Sequence, residues 1–206
     1  MLMKVAERFG FRVNTFTHIL EGYKIADKMR EHGAGGSSFS DWWAYKYEVI
    51  DAIPHNGPIM HDQGVLVAFN SDDAEMARRL NQEAAKAVMY ADMSEEEAWK
   101  FVTLNPAILL HIDDRVGSIN VGKDADLVLW SDHPLSIYAR AEKTWVDGRL
   151  YYDQERDREL RSEIQSERAR LIQKMIDDES PGGKSGPPHR KFHHHYHCDD
   201  YDDEMR

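Results

Sequence analysis

The stretch Val65-Leu-Val-Ala-Phe-Asn-Ser-Asp-Asp73 decides the fold of this chain. Its first five residues form a continuous apolar run, which is typical of a strand buried on both faces of a parallel sheet. Polar residues follow at once, and Asp72 lies where the strand ends. A helical pattern then begins, with Leu80, Ala84 and Val88 on one face. The stretch therefore predicts a buried strand that leads through a polar loop into a helix.

The same alternation precedes this stretch. Residues Phe11–His18 are rich in β-branched and aromatic side chains and predict a strand that ends at His18. Residues Glu21–His32 have apolar side chains at helical spacing, and Gly33–Phe39 is predicted to form another short strand. Strands that alternate with helices in this way predict an α/β fold with a parallel sheet.

The pattern changes further along the chain. Ser94, with Glu97 three residues later, predicts the start of a helix, and Asn105 before Pro106 predicts the N-cap of the next one. Short apolar strands follow, and Asp147-Gly148 between two of them indicates a hairpin. We divide the chain into an α/β part (1–110), a small β part (111–153), a charged helix (154–178) and a His- and Asp-rich tail expected to be disordered (179–206).

The composition argues against several classes of protein. The 206 residues include 26 Lys and Arg against 37 Asp and Glu, a net charge of −11 that disfavours nucleic-acid binding. No run of about 18 apolar residues is present, so no membrane span is predicted. The first residues lack the pattern of a signal peptide, and no compartment is indicated. A single cysteine, Cys198, excludes an internal disulfide framework.

Two polar residues are candidates for a metal site. His18 and Asp72 each end a predicted strand, and side chains at the C-terminal ends of parallel strands face the mouth of an active site. A histidine and a carboxylate together can bind a divalent ion such as zinc, and the carboxylate can also accept a proton from water. Two structural alternatives remain. Asp72, with Ser71 and Asp73, would then cap the following helix, and His18 would be a packed or partly exposed histidine.

Three other motifs have weaker implications. Gly117–Lys123 matches the first seven positions of a phosphate-binding loop, but Asp124 follows where a hydroxyl is required, so we predict no nucleotide site. The tail segment Pro188–Cys198 can chelate metals without fixing a reactive geometry. Aromatic residues of the loop before residue 48 either line a substrate pocket or pack locally; they are Trp42, Trp43 and Tyr45.

Several segments together resemble a known family. The C-terminal signature of the metal-dependent amidohydrolases, in particular their imidazolonepropionase-like branch, is similar to Thr103–Ala107, Gly117-Ser118, Gly122–Trp130 and Trp145–Gly148. Upstream, Thr17–Ala26 resembles the family's sixth barrel strand with its helix, and Val65–Asp72 resembles the eighth strand. The resemblance implies the C-terminal portion of a (β/α)8 barrel, with strands six to eight within residues 1–110, and a small β-sandwich subdomain in 111–153.

The resemblance also implies a reaction. Members hydrolyse carbon–nitrogen bonds of small amide-type substrates, cyclic or peptide-like, through metal-activated water and one or two divalent ions, usually zinc. Asp72 matches the ligand that also acts as general base, and His18 matches a ligand of the second metal. The family's other ligands, which include a His-x-His pair on strand one, have no match within residues 1–110. We therefore expect a missing N-terminal half, or self-association, to complete the site.

An alternative of another class is a non-catalytic fragment that serves assembly or metal sequestration. It would use the His-rich tail and the charged helix 155–176, whose apolar stripe is Leu160, Ile164, Leu171 and Met175. The same stripe would equally suit a helix that packs on its own domain.

Overall fold

A computed structural model describes residues 1–178 of the chain. These residues form six strands: β1 (Thr15–Thr17), β2 (Gly35–Ser38), β3 (Val67–Phe69), β4 (Leu127–Trp130), β5 (Ala141–Val146) and β6 (Arg149–Asp153). The helices are α1 (Leu2–Phe9), α2 (Ala26–His32), α3 (Asn56–Asp62), α4 (Leu80–Ala91), α5 (Glu95–Lys100), α6 (Leu104–Leu109) and α7 (Gln154–Asp177). Short 3-10 turns occur at Gly22–Ile25, Tyr47–Val49 and Met76–Arg79. The predicted disordered tail, with its His-rich segment, lies outside the described residues.

The first three strands form a parallel sheet in the order β1-β2-β3, as predicted. Helices α2 and α3 lie in the two connections between them, so this part of the chain is α/β. Strand β1 is shorter than the predicted strand that began at Phe11. The Phe11 amide donates to the Ala6 carbonyl at the end of α1, and the Val13 amide donates to the buried His32 ring. Neither amide therefore joins the sheet.

One apolar cluster holds the sheet against its helices. All three residues of β3 are buried, and Phe69 meets Phe101 edge-on with ring centroids 4.9 Å apart. Met29 of α2 and Met60 of α3 are fully buried in the same cluster. Because burial of each large apolar side chain contributes about 1.5–3 kcal/mol, this cluster fixes the strand ends in place.

The predicted helix starts are confirmed at one position and wrong at another. Ser94 accepts a hydrogen bond from the Glu97 amide at 3.3 Å, as a capping residue should. Asn105, expected to be an N-cap, instead lies inside α6, where its Nδ2 donates to the Val67 carbonyl at 2.8 Å. This bond gives the buried carbonyl of Val67 in β3 a hydrogen-bond donor. If Asn105 capped α6 instead, that carbonyl would lack this partner.

The second sheet is antiparallel, in the order β4-β5-β6. Asp147 and Gly148 have φ values of 50° and 71° between the paired residues Val146 and Arg149. Two left-handed residues at the centre of a two-residue loop form a type I′ turn, so the predicted hairpin is confirmed. The expected two-layer β-sandwich is not present among residues 1–178, because consecutive short strands there build one sheet only.

The chain divides into two compact units, residues 1–157 and the residues from 158 onward. Within the second unit, none of the described side chains of α7 is buried, and its predicted apolar stripe is exposed. Arg170 pairs with Glu167 one turn earlier at 2.7 Å, an exposed pair that adds a few tenths of a kcal/mol to such a helix. Every helix of the described part is too short or too polar to cross a membrane.

Candidate functional site

His18 and Asp72 lie at the same edge of the parallel sheet. His18 directly follows β1, and Asp72 comes three residues after the end of β3. Both side chains are exposed. Strand β2 lies between the two strands, so the strand axes are separated by about 10 Å, twice the spacing of neighbouring strands. The structure thus brings the two predicted metal ligands to one rim.

Both residues have an unusual backbone conformation. The φ angle is 56° at His18 and 51° at Asp72, which is the left-handed region. That region costs a residue with a Cβ roughly 1–2 kcal/mol, and such positions cluster at functional sites. The sharp bends end the two strands at once. The backbone is therefore strained at both candidate ligands.

The neighbour of Asp72 performs the capping role. Asp73 Oδ1 accepts hydrogen bonds from the amides of Glu75 and Met76, both at 2.8 Å. Of the three residues in the predicted capping alternative, Asp73 is therefore the one that accepts these amides, and Asp72 does not. Within residues 1–178 the Asp72 carboxylate forms no hydrogen bond or ion pair, so it is free to bind a ligand.

Asn56 holds the chain just beyond His18. It is 2% exposed, and its Nδ2 donates to the Ile19 carbonyl at 2.8 Å and to Ser38 Oγ at 2.9 Å. Its Oδ1 accepts the amide of Tyr23 at 2.9 Å. One buried side chain therefore joins the segment after β1 to the end of β2. Asn56 was not among the residues predicted for the site, because its partners lie at least 18 residues away in the sequence.

His18 itself has one ring contact. Its imidazole lies 4.9 Å from the Phe39 ring, centroid to centroid, with the planes tilted by 54°. Phe39 is buried at the end of β2, so this contact limits the directions available to the exposed imidazole. The expectation of a partly exposed histidine thus agrees with the structure, and the ring nitrogens have no hydrogen-bond partner in the described part of the chain.

The aromatic loop after β2, residues 40–52, approaches Asp72 through Trp42. Trp42 Nε1 donates to the carbonyl of Ser71 at 3.0 Å, and its ring lies 5.1 Å from that of Tyr45. Trp43 points elsewhere, with its ring edge-on to Tyr90 of α4 at 5.3 Å. Two of the three predicted substrate-binding residues therefore lie together near the rim, whereas Trp43 contacts a helix.

The far end of the aromatic loop is fastened to the turn that follows His18. Tyr23 Oη donates to the Asp51 carbonyl at 2.9 Å, and Lys24 forms ion pairs with Asp51 at 2.5 Å and with Glu21 at 2.7 Å. The hydrogen bonds to these two carboxylates raise the pKa of Lys24 above its ordinary value. The loop is therefore anchored beside both candidate ligands.

A buried carboxylate lies at the near end of the loop. Glu83 of α4 is 2% exposed, and its Oε2 accepts a hydrogen bond from Ser40 Oγ at 3.1 Å. Burial raises the pKa of Glu83 to about 7. The sequence contains a signal for this buried carboxylate: Glu83 falls on the apolar face of α4, beside Ala84 and Ala87.

The loop that resembles a phosphate-binding motif is occupied by its own lysine. Lys123 Nζ donates to the Val116 carbonyl at 3.2 Å, to Ser118 Oγ at 2.8 Å and to the Asp113 carbonyl. Gly117 has a φ of 85°, and a Cβ there would lie 2.7 Å from the Cβ of Ala107. The glycine and the lysine therefore have structural roles that need no phosphate.

The described residues provide part of a metal site. No group of three His, Cys, Asp or Glu side chains within residues 1–178 is placed to hold an ion. His18 and Asp72 offer one nitrogen and one carboxylate donor, a pair that suits zinc and similar divalent ions. The donor chemistry fits such an ion, and the number of donors requires further ligands.

Comparisons with known proteins show which sequences and structures this chain is similar to. Residues 53–151 match the amidohydrolase family. An amidohydrolase named tasK from Hapsidospora irregularis is 29% identical over 153 residues, which are 72% of this chain and 16% of that protein. An imidazolonepropionase from Bacillus cytotoxicus is 31% identical over 105 residues, 47% of this chain and 25% of that protein.

The solved structure of an amidohydrolase from Thermotoga maritima superposes with a TM-score of 0.69 and 32% identity. That alignment covers 74% of this chain and 40% of the other, so the chain spans less than half the length of each of these three relatives. The solved neighbours are barrel proteins, and the three parallel strands with their helices correspond to part of that architecture. Taken with the family match, these similarities establish that the chain belongs to the amidohydrolase superfamily.

Proposed function

We propose that this chain contributes His18 and Asp72 to a divalent-metal centre that hydrolyses carbon–nitrogen bonds in small amide-type substrates. The observation that carries the proposal is the placement of both residues at one rim of a parallel sheet, each in left-handed backbone and each exposed. An amidohydrolase and an imidazolonepropionase among the relatives support the reaction class.

The roles of the residues follow from their chemistry. A bound divalent ion lowers the pKa of water and polarises a carbonyl oxygen. The imidazole of His18 donates a ring nitrogen lone pair to the site, and its orientation is limited by Phe39. A carboxylate oxygen of Asp72 takes the proton of the attacking water, and this oxygen is available because Asp73 provides the cap. Zinc is the ion we expect, from the mixture of nitrogen and oxygen donors.

We assign the substrate wall to Trp42 and Tyr45. The hydrogen bond from Trp42 to the Ser71 carbonyl keeps its ring beside Asp72, and Tyr45 is half exposed against that ring. Flat aromatic faces next to a hydrolytic centre favour substrates with planar or apolar groups. Trp43 supports the loop from behind through its contact with Tyr90.

The remaining ligands would come from polypeptide outside the described residues, as an N-terminal half of the barrel. Strand β1 supports this because the main-chain groups of Thr15 and Thr17 that point away from β2 form no backbone hydrogen bonds in the described part of the chain. A barrel strand could pair there. Self-association of the chain is the other way to supply them.

A second candidate is metal sequestration by the tail, and the sequence itself favours it. The tail has four histidines close to Cys198, namely His193, His194, His195 and His197. Such a cluster of borderline and soft donors binds metal without a folded site. In that case the rim residues would have no metal role.

Zinc titration distinguishes the two candidates. The full chain is prepared with the tail histidines replaced by asparagine and Cys198 by serine, and the His18 ring is followed by long-range 1H–15N NMR. We expect zinc to shift the His18 resonances, with Asp72→Asn weakening zinc binding by about tenfold or more and Asp73→Asn leaving it unchanged. Hydrolysis of cyclic amides and dipeptides is then measured with and without zinc. Loss of all zinc binding with the tail donors, also after an N-terminal half of the barrel is added in trans, would overturn the rim assignment.

A further inference from the structure

Glu83 is a buried titratable group that the proposed reaction does not use. It projects from α4 into the interior, and only one of its two carboxylate oxygens is satisfied. Oε2 accepts the hydroxyl of Ser40, whereas Oε1 has no hydrogen-bond partner among the described residues. An unpaired buried oxygen of this kind is unfavourable for folding. Its presence therefore calls for a role other than stability.

The helix around Glu83 holds the start of the aromatic loop on three successive turns. Glu83 binds Ser40, Lys86 forms an ion pair with Asp41, and the Tyr90 ring meets Trp43 edge-on. Ser40 and Asp41 are the first two residues of this loop. The ion pair and the ring contact lie closer to the surface, and the bond to Ser40 is the buried member of the set.

The contacts at the start of the loop also affect the position of Trp42 at the rim. Trp42 lies between the anchored residues Asp41 and Trp43 and faces the other way, toward the carbonyl of Ser71. Trp42 and Ala44 have φ values of 68° and 51°, both left-handed, so their backbone depends on neighbouring contacts to keep its shape. Ser71 is bonded to Asp72. A change at Ser40 is therefore expected to move Trp42 relative to Asp72.

We propose that Glu83 is the positioning residue of the aromatic loop: by holding Ser40 from beneath, it sets the distance between the Trp42 ring and Asp72. The assignment of Trp42 as a substrate wall rests on the proposed function, whereas the placement of Trp42 by Glu83 does not. Glu83 touches neither substrate nor metal in this arrangement and acts through Ser40 and the loop.

The titration of Glu83 should make the position of the loop depend on pH, which a contact without a titratable group would not do. The groups that act on it are Asp41 of the loop, which favours the protonated form, and Lys86 and Arg79, which favour the ionised one. Burial is the dominant effect and places the pKa near neutral. An ionised carboxylate accepts the Ser40 hydroxyl more strongly than a neutral acid does, so the loop contact tightens as pH rises.

The test uses the full chain labelled with 5-fluorotryptophan and observed by 19F NMR from pH 5.5 to 8.5, without metal. Trp42 and Trp43 are assigned through Trp42→Phe and Trp43→Phe, and the three tryptophans at 99, 130 and 145 serve as internal references. We expect the Trp42 resonance to titrate with a midpoint near 7 in the wild type and to stay flat in E83Q. E83A should displace Trp42 at every pH, and E83Q should restore its low-pH position.

Controls separate Glu83 from its neighbours. Glu96→Gln, an exposed α5 glutamate paired with Lys100, should leave the Trp42 titration unchanged, and so should His18→Asn at the rim. A Trp42 titration that persists in E83Q, or an E83A variant with the wild-type Trp42 resonance, would overturn the proposal. If E83A fails to fold, the pH profile of E83Q decides alone. No step of the test needs zinc or turnover, so its result is independent of the proposed function.

Discussion

The side-chain amide of Asn105 donates a hydrogen bond to the main-chain carbonyl of Val67 at 2.8 Å. The register of the parallel sheet directs the main-chain hydrogen-bonding groups of Leu66, Ala68 and Asn70 toward β2. Those of Val67 and Phe69 therefore face the opposite edge. The Phe69 amide bonds to the Phe101 carbonyl there at 2.8 Å. The chain therefore closes one edge of its own parallel sheet and leaves the β1 edge as the place where a strand can be added.

Replacing Asn105 should destabilise the fold more than its size suggests. Asn105→Ala removes the partner of a buried carbonyl, and we expect a loss of about 1–3 kcal/mol in the free energy of unfolding. Urea denaturation followed by circular dichroism measures it. Asn120→Ala, which removes an exposed hydrogen bond to Ser118, is the matched control and should cost under about 0.5 kcal/mol. Equal effects of the two variants would contradict the edge-closing role.

Glycine at position 72 should separate stability from metal binding. Asp72→Gly removes the Cβ from a residue with φ 51°, so we expect the free energy of unfolding to rise by about 1 kcal/mol while zinc no longer shifts His18. Asp73→Gly should do the reverse, because it removes the cap that accepts two amides. Denaturation and zinc titration on both variants check this. A destabilised Asp72→Gly would show that the carboxylate has a structural partner.

Loss of Asn56 should loosen the segment that carries His18. Asn56→Ala leaves the Ile19 carbonyl and the Tyr23 amide without their buried partner, so we expect about 1–3 kcal/mol of destabilisation. Amide hydrogen exchange should accelerate at residues 19–23 before it does in β3. Asn14→Ala, an exposed asparagine bonded to the Leu109 carbonyl, is the comparison. Uniform acceleration through the sheet would instead indicate global unfolding.

The stability of the chain should depend on the protonation of Glu83. Its pKa is about 7 in the folded protein against 4.5 in the unfolded chain, so the folded state retains the proton over a range where the unfolded state has lost it. The contribution of Glu83 is therefore most favourable below pH 4.5 and is lost as pH rises to about 7. Wild type should lose about 1–3 kcal/mol relative to E83Q between pH 5 and pH 8. Parallel profiles of the two proteins would rule this out.

The sequence predicts the elements of the sheet better than the contacts that join them. The buried strand was recognisable from the continuous apolar run Val65–Phe69, although β3 itself covers only Val67–Phe69. The Asp147-Gly148 hairpin follows from a local preference for left-handed φ. The role of Asn105 was not predictable, because its partner Val67 is 38 residues away and no local pattern records such a bond. Strand β1 was predicted too long for the same reason, since its first amides bond outside the sheet.

The site shows the same division. His18 and Asp72 were predicted from their position after strands, and the structure places both at one rim. The choice between Asp72 and Asp73 as cap depends on which carboxylate turns back toward the Glu75 and Met76 amides, a matter of backbone angle that composition does not reveal. Asn56 and Glu83 act on loops distant in sequence, so their importance emerges only from the folded arrangement.

The left-handed backbone at His18 and Asp72 gives relatives of this protein a simple diagnostic. Glycine is the cheapest residue for such a bend, so a lineage released from catalytic selection would drift toward glycine at these two positions and gain stability as it did so. A homologue that keeps histidine and aspartate there retains backbone strain that does not stabilise the fold. Under the proposed function, counting these two residues across a genome would therefore distinguish catalytic relatives from inactive ones.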